Sequence, residues 1–357
     1  MNELTHIALF SAGAFALTWA AYPVALRTAL RYHILDNPDA RKLQREPVPV
    51  LGGTAVAAAL LPMIMLAQHV LGLPQDWPLL LSLLLITAIG VTDDIRGLSA
   101  VLRFLLEIGI MGALIGFSHH TIDMLQGLFG LPRISIYTAV PFSIFAGVGI
   151  LNSINLIDGI DGYSSGFCTV AFCLFGGLFL LCSDVKMAAI CFIAAAALIP
   201  FFCHNALIRR GKMYIGDGGT MMLGLLLAYC VFCTTDSQAP AAQLAHENIS
   251  LGAFSLAVLC IPIFDTLRVM CSRLAKGRSP FHPDKTHLHH LYIEYGFSHL
   301  QTTGLIILTN LLIVGCWALS AWLGLCPAGQ FVLVSTLGTL CTFVYYPLAH
   351  KTGFLKH

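Results

Sequence analysis

The sequence predicts an all-α integral membrane protein. It reads as one multi-spanning domain over residues 1–357, with about 11 transmembrane helices and its polar chemistry gathered on the cytoplasmic face. Three observations predict this. Only 10% of the 357 residues are charged, 57% are hydrophobic and the mean hydropathy is +0.81, whereas soluble domains use roughly 25% charged residues. Apolar runs of about 20 residues, the length that crosses a hydrocarbon core of roughly 30 Å, recur from end to end. The basic residues, finally, lie almost all on one side of those runs.

The first run, 4–26, begins in MNELTHIALF, which lacks the basic start of a cleavable signal and is long enough to stay as a helix. Further runs lie at 51–71, 78–92, 101–118, 138–152, 163–182, 187–203, 217–234, 250–271, 300–322 and 329–348. With the connections numbered alternately, Arg133 and Lys186 are the only two of the 19 Lys and Arg on one side. The positive-inside rule makes the other side cytoplasmic, which puts the N-terminus outside and the C-terminus inside. The 12 cysteines are scattered, and Cys230 and Cys233, a CxxC within a run, read as packing residues without a disulfide. A net charge of +1 gives no pointer to nucleic acid.

Five polar clusters sit at the cytoplasmic ends: DNPDARKLQREPVPVLGG (36–53), VTDDIRGLSAVLR (91–103), NSINLIDGIDGYSSG (152–166), YIGDGGTMMLG (214–224) and RSPFHPDKTHLHH (278–290). Such groups are costly to desolvate and need water, a cation or a polar substrate. The adjacent carboxylates of Asp93 and Asp94 repel one another, which favours a divalent cation or work as a base. Asn152, Asn155, Asp158 and Asp161 recur every third residue. Only neighbouring pairs share a helical face; all four would line up on a 3₁₀-like turn. Carboxylates with carboxamides suit hydroxyls and hydrated Mg²⁺. Asp217, set among Gly216, Gly218 and Gly219 at a helix start, suits a cation that bridges phosphate oxygens. Tyr214 offers a stacking face, and Arg209, Arg210 and Lys212 offer charge. His287, His289 and His290, with Arg278, Asp284 and Lys285, form a cationic loop that fits phosphate binding or acid–base work better than zinc.

Hard metal, carboxylates and cationic side chains at a membrane boundary suit phosphoryl transfer between a soluble nucleotide and a lipid. In order and content the motifs RKLQREPVPVLGG, TDDIRGLSAVLRFLLE, NSINLIDGIDG, YIGDGGTMMLG and RSPFHPDKTHLHHLYIEYGF resemble the polyprenyl-phosphate N-acetylhexosamine-1-phosphate transferases. The His-x-His-His loop is similar to that of the branch acting on N-acetylglucosamine-1-phosphate and undecaprenyl phosphate. Two positions depart from the family pattern: Gly97 stands where a third Asp or a Lys is common, and Gln44 where a His is common.

The resemblance implies Mg²⁺ or Mn²⁺ on Asp217 with Asp94 and Asp93 close by, one of the Asp93/Asp94 pair acting as base. It implies that Asn152, Asn155, Asp158 and Asp161 contact nucleotide and sugar phosphate, and that Tyr214 lies near uracil. His287, His289, His290 and Arg278 would meet the pyrophosphate, and Arg41, Lys42 and Arg45 would add charge. The implied partners are a UDP-N-acetylhexosamine, undecaprenyl phosphate and membrane lipid, without nucleic acid, in a bacterial inner membrane; the oligomeric state, a homodimer included, stays open. Two other classes compete. An intramembrane aspartyl protease could use Asp217 with Asp158 or Asp161 but has no use for the histidine loop. A transporter would place its polar groups at mid-membrane.

Overall fold

The computed structural model describes residues 2–37, 46–208, 211–279 and 285–344, with backbone alone at 246 and 247. Arg41, Lys42, Arg45, Arg209, Arg210 and Asp284 lie outside the described residues. The helices are α1 (Glu3–Arg31), α2 (Gly52–Val70), α3 (Trp77–Arg96), α4 (Ala100–Ser118), α5 (Ile136–Leu156), α6 (Tyr163–Leu181), α7 (Val185–Phe202), α8 (Gly216–Thr235), α9 (Leu251–Val258), α10 (Cys260–Ala275), α11 (Leu288–Glu294), α12 (His299–Trp322) and α13 (Pro327–Thr339). Short polar residues fix their starts, because a side-chain oxygen takes up amides that the first turn leaves open. Asn2, Asp76, Ser99, Asp184 and Ser250 do this for α1, α3, α4, α7 and α9. Ser298 and Gln301 form a reciprocal box at α12.

Among the described residues ten helices are long and apolar enough to cross a membrane, or 11 if α9 and α10 together count as one. The chain is thus a multi-pass membrane protein. The run expected as one helix over 250–271 is broken, with α10 turned by 74° from α9. Pro262, in the first turn of α10, has no N–H to return to the Val258 carbonyl, so the helical ladder fails there. The freed groups find a partner in α12. Buried Asn310 donates to the carbonyls of Ala257 (3.2 Å) and Val258 (2.9 Å) and accepts from the Ile261 amide (3.0 Å). Irregular backbone at membrane depth is tolerated only when protein satisfies it in this way.

α8 is the core. Every residue from Gly218 to Thr235 is buried, and α2, α3, α5, α6 and α9 pack around it. Helices such as α1, α4 and α13 instead leave most of their surface open, as lipid-facing helices do. At the end of α8 opposite Asp217, the Tyr229 hydroxyl (2.7 Å) and Lys186 (3.0 Å) both donate to Asp76, so one of the two basic residues on that side is paired.

Candidate active site

The helices nearest the N-terminus of α8 meet at backbone distance. A Cβ on Gly90 of α3 would lie 2.5 Å from the Gly218 backbone, so only a residue without one lets the two helices touch here. That contact carries Asp94 to the start of α8, where its two oxygens accept the amides of Asp217 (2.9 Å) and Gly218 (3.2 Å). An anion at these amides satisfies donors that the helix cannot pair and meets the positive end of its dipole. Asp93, one residue earlier, accepts from the Leu98 amide (2.6 Å) and from Arg103 (3.1 Å). The same Arg103 nitrogen lies 3.7 Å from Asp217, and its Nε lies 3.6 Å from buried Glu107. Asn155 completes the group, its Nδ2 donating to the Asp217 carboxylate (2.6 Å) and to the Thr220 hydroxyl (2.7 Å).

The three-residue ladder does not line up. α5 ends at Leu156, which leaves Asn152 and Asn155 on the helix and Asp158 and Asp161 in the turn after it. Asn152 donates to Glu107 rather than toward Asp217. Asp158 accepts from Ser164 of α6. Burial above all, with the charges of Asp217, Asp161 and Asp36 against the opposing Ser164 bond, pushes its carboxyl up to about 7. Asp161 goes the other way. Burial would raise it, but His299 (3.0 Å) and Lys212 (2.7 Å) outweigh burial and hold it below the usual carboxylate range. The Lys212 ammonium also lies 5.2 Å from the centre of the Tyr214 ring. Burial, with the charges of Asp161, Asp36 and Asp158, keeps the Tyr214 phenol protonated.

The histidine loop reaches this turn through Gly159. A side chain there would run into the His289 ring. His289 is 2% exposed, and neither of its ring nitrogens has a hydrogen-bond partner among the described residues. Burial first, then neighbouring His290 and His287, keep it well below the ordinary imidazole value, hence neutral. Its ring lies edge-on to Tyr163 at 6.2 Å, parallel to His287 at 5.8 Å and 4.3 Å from His290. His287 is tied to Asp265 of α10 through Nδ1 at 2.9 Å. Arg278 is exposed beyond the end of α10. Arg268, two to three turns earlier, reaches this loop, meeting the Asp265 carboxylate at 2.7 Å and the Thr286 carbonyl at 2.5 Å.

The structure therefore brings Asp93, Asp94, Asn155 and Asp217 into one cluster, and Asp158, Asp161 and Tyr214 into a second that shares charge interactions with it. His287, His289 and His290 form a third, joined to the second at Gly159. Sequence reasoning gave no role to Glu107, Ser164, Asp265, Arg268, His299 or Asn310. Glu107 and Asp265 carried a usable signal, a carboxylate inside an apolar run.

A hard cation fits the first cluster. Asp93 and Asp217 converge on one guanidinium nitrogen, so both carboxylates already face a shared positive charge. Among the described residues no three Asp, Glu, His or Cys side chains surround one point. Mg²⁺ commonly takes one or two carboxylates and completes its shell with water and phosphate, and Asp93 and Asp217 could supply that number. Asp94, named as a ligand from sequence, spends both oxygens on α8 amides in this structure, and Asp93 is the carboxylate that faces Asp217 across Arg103.

Residues 77–235, from the start of α3 to the end of α8, match the pattern of glycosyl transferase family 4. The likeness to that family is confined to this segment. The family 4 segment contains the first cluster and the ladder, whereas the histidine loop lies beyond it. Full-length relatives extend the likeness. An undecaprenyl-phosphate alpha-N-acetylglucosaminyl 1-phosphate transferase of Yersinia pestis is 29% identical over 324 residues, 87% of this chain and 82% of the relative. The protein of the same name from Escherichia coli O157:H7 is 26% identical, covering 88% of this chain and 84% of the relative. A decaprenyl-phosphate N-acetylglucosaminephosphotransferase of Mycobacterium leprae is 29% identical, covering 85% and 81%.

Proposed function

We propose that this chain transfers N-acetylhexosamine-1-phosphate, with N-acetylglucosamine-1-phosphate first among the candidates, from a UDP-sugar to undecaprenyl phosphate and releases UMP. The observation that carries the reading is the meeting of three polar clusters from separate loops at one end of the bundle, with Asp217 at the partly exposed tip of α8 touched by Asn155 and close to Arg103. The names of the relatives supply the substrates. Neither protease nor transporter chemistry explains the Asp265-anchored histidine loop.

In this reaction an oxygen of the lipid phosphate forms a bond to the β-phosphorus of the UDP-sugar. The bond from that phosphorus to the bridging oxygen breaks, and UMP departs with the bridging oxygen. Asp217 with Asp93 would hold Mg²⁺ or Mn²⁺, which when bound neutralises charge on the phosphate oxygens, while Asp94 stays on the α8 amides. Asn155 holds the Asp217 carboxylate in place. Arg103 sets a fixed positive charge beside the same group. One of the Asp93/Asp94 pair takes the remaining proton of the lipid phosphate. Asp161, kept ionised by Lys212 and His299, accepts hydroxyl hydrogens of the nucleotide or sugar. Asp158, half protonated near neutral pH, can donate as well as accept toward the sugar phosphate. Neutral His289 offers one donor and one acceptor, and the loop as a whole faces the pyrophosphate. Positioning and electrostatics of this kind supply most of the acceleration in phosphoryl transfer.

The membrane orientation follows from the basic residues: N-terminus outside, site and C-terminus at the cytoplasmic face of a bacterial inner membrane. The test is direct. Purified protein with undecaprenyl phosphate, Mg²⁺ and UDP-N-acetylglucosamine should release UMP and form a lipid-linked pyrophosphoryl sugar, and a panel of UDP-N-acetylhexosamines should rank the donors. Release of UDP, or no lipid product with any donor, would overturn the reading.

A further inference from the structure

Asp265 is 2% exposed, lies in the middle of α10 and takes no part in the chemistry above. Its carboxylate accepts four contacts from the histidine loop and its own helix. Arg268 donates to Oδ1 at 2.7 Å, the Leu288 amide lies 3.2 Å from both oxygens, and His287 Nδ1 lies 2.9 Å from Oδ2. A carboxylate that already receives a guanidinium and an amide can only accept, so the hydrogen on the fourth contact sits on His287 Nδ1. Nε2 is thereby left without one while the ring is neutral. It makes no hydrogen bond among the described residues.

We propose that Asp265 is the positioning residue of the histidine loop: it fixes the ring and the tautomer of His287, so that Nε2 faces the diphosphate site. Arg268 supports the arrangement from the other side by holding the Asp265 carboxylate and the Thr286 carbonyl, the backbone that leads into His287. Among the described residues His287 meets Asp265 from α10, itself held by Arg268, and His289 from α11; His290, Tyr163 from α6 and His299 from α12 lie one ring further out, beside His289. Of these Asp265 alone carries negative charge. For histidines that bind a metal, loss of the carboxylate that orients the ring typically costs 10- to 100-fold, and a loss of the same order is expected here. The inference rests on the histidine loop being the diphosphate-binding part of the proposed site.

Asp265→Asn separates this role from a merely structural one. Arg268 and the Leu288 amide claim the single oxygen of the amide group, which turns its NH₂ toward His287 and requires Nδ1 to accept. Nitrogen-15 spectra of histidine-labelled, full-length protein in detergent should therefore show His287 as the Nδ1–H form in the wild type and as the Nε2–H form in D265N. The KM for UDP-N-acetylglucosamine should rise roughly tenfold or more, and D265N should add nothing further in a His287→Ala background. A wild-type spectrum showing the Nε2–H form overturns the proposal and needs no variant to fold. Equal costs of D265N with and without His287 overturn it as well, because the carboxylate would then act on the fold alone. If the wild type releases no UMP from any UDP-sugar, the proposed function fails while the tautomer assignment is still decided by the spectra.

Discussion

Asp217 meets Asn155, Arg103 and the start of α8 at one point, so its charge is the residue-scale feature with most to lose. We expect Asp217→Asn to lower kcat for UMP release by roughly 10²–10³ or more, the cost of removing a principal electrostatic stabiliser, with the protein still folded in detergent. Near-normal rates at ordinary Mg²⁺ would move the metal to Asp93 and Asp94. Asp158 gives a pH dependence. The folded chain binds its proton more tightly than the unfolded chain, because burial lifts the carboxyl from 3.8 to about 7. Its contribution to stability is therefore full below about 4, falls as pH rises and is gone above about 7. Asp158→Asn stays neutral throughout, so its Tm should fall less between pH 5 and pH 8 than that of the wild type; parallel curves would remove Asp158 as the source. At this scale the sequence was most legible where polar residues crowd a span end. Asp93, Asp94, Asn155 and Asp217 were found that way. Asp265 and Glu107 were not, because each lies inside an apolar run and the partner that ties it to a polar cluster, His287 or Asn152, is 22 or 45 residues distant. Arg278 was named as part of the histidine cluster; the structure leaves it exposed and brings Arg268, from an earlier turn of α10, to the loop.

Elements were legible as lengths but not as directions. Hydropathy sums apolarity along a window and does not register a turn, so α9 and α10 read as one span although Pro262 ends the ladder between them. The repair by Asn310 comes from α12, some 50 residues on, and no local pattern announces it. Asn310→Leu would strand the Val258 carbonyl and the Ile261 amide in an apolar setting, at about 1–3 kcal/mol for each group left unpaired. Its Tm should drop well below that of the wild type, and an unchanged Tm would mean that other groups close the break. Gly159→Ala tests the link between the turn after α5 and the histidine loop. A methyl group there must displace the His289 ring, so the KM for the UDP-sugar should rise with little change in Tm. An unaltered KM would detach His289 from substrate binding.

At the scale of the whole molecule, charge sets orientation: of the 19 Lys and Arg, Arg133 and Lys186 alone were assigned to the outer side. A reporter fused after His357 should be active as a cytoplasmic fusion, and one placed before Leu4 should read external. An external C-terminus would divide the three polar clusters from the face where UDP-sugars are found. Eleven spans were expected, and ten helices with one bent pair were found among the described residues. Alternation of runs and loops was enough for that.

The burial of α8 has a consequence for how the molecule is built. This helix is apolar along its length, yet none of its residues from Gly218 to Thr235 is left facing outward in the finished protein. Membrane insertion selects it by hydropathy, but its final neighbours are protein on every side, so Gly, Thr, Cys and Tyr can sit where lipid would favour Leu. During synthesis α2, α3, α5 and α6 precede it, whereas α9 follows. The earlier helices must therefore admit α8 between them after they have themselves entered the bilayer, and until α9 arrives one flank of α8 is bare. Asp217 meets Asp94, Arg103 and Asn155 of the earlier helices, so a chain halted before α9 would carry those partners and still leave α8 uncovered where α9 packs.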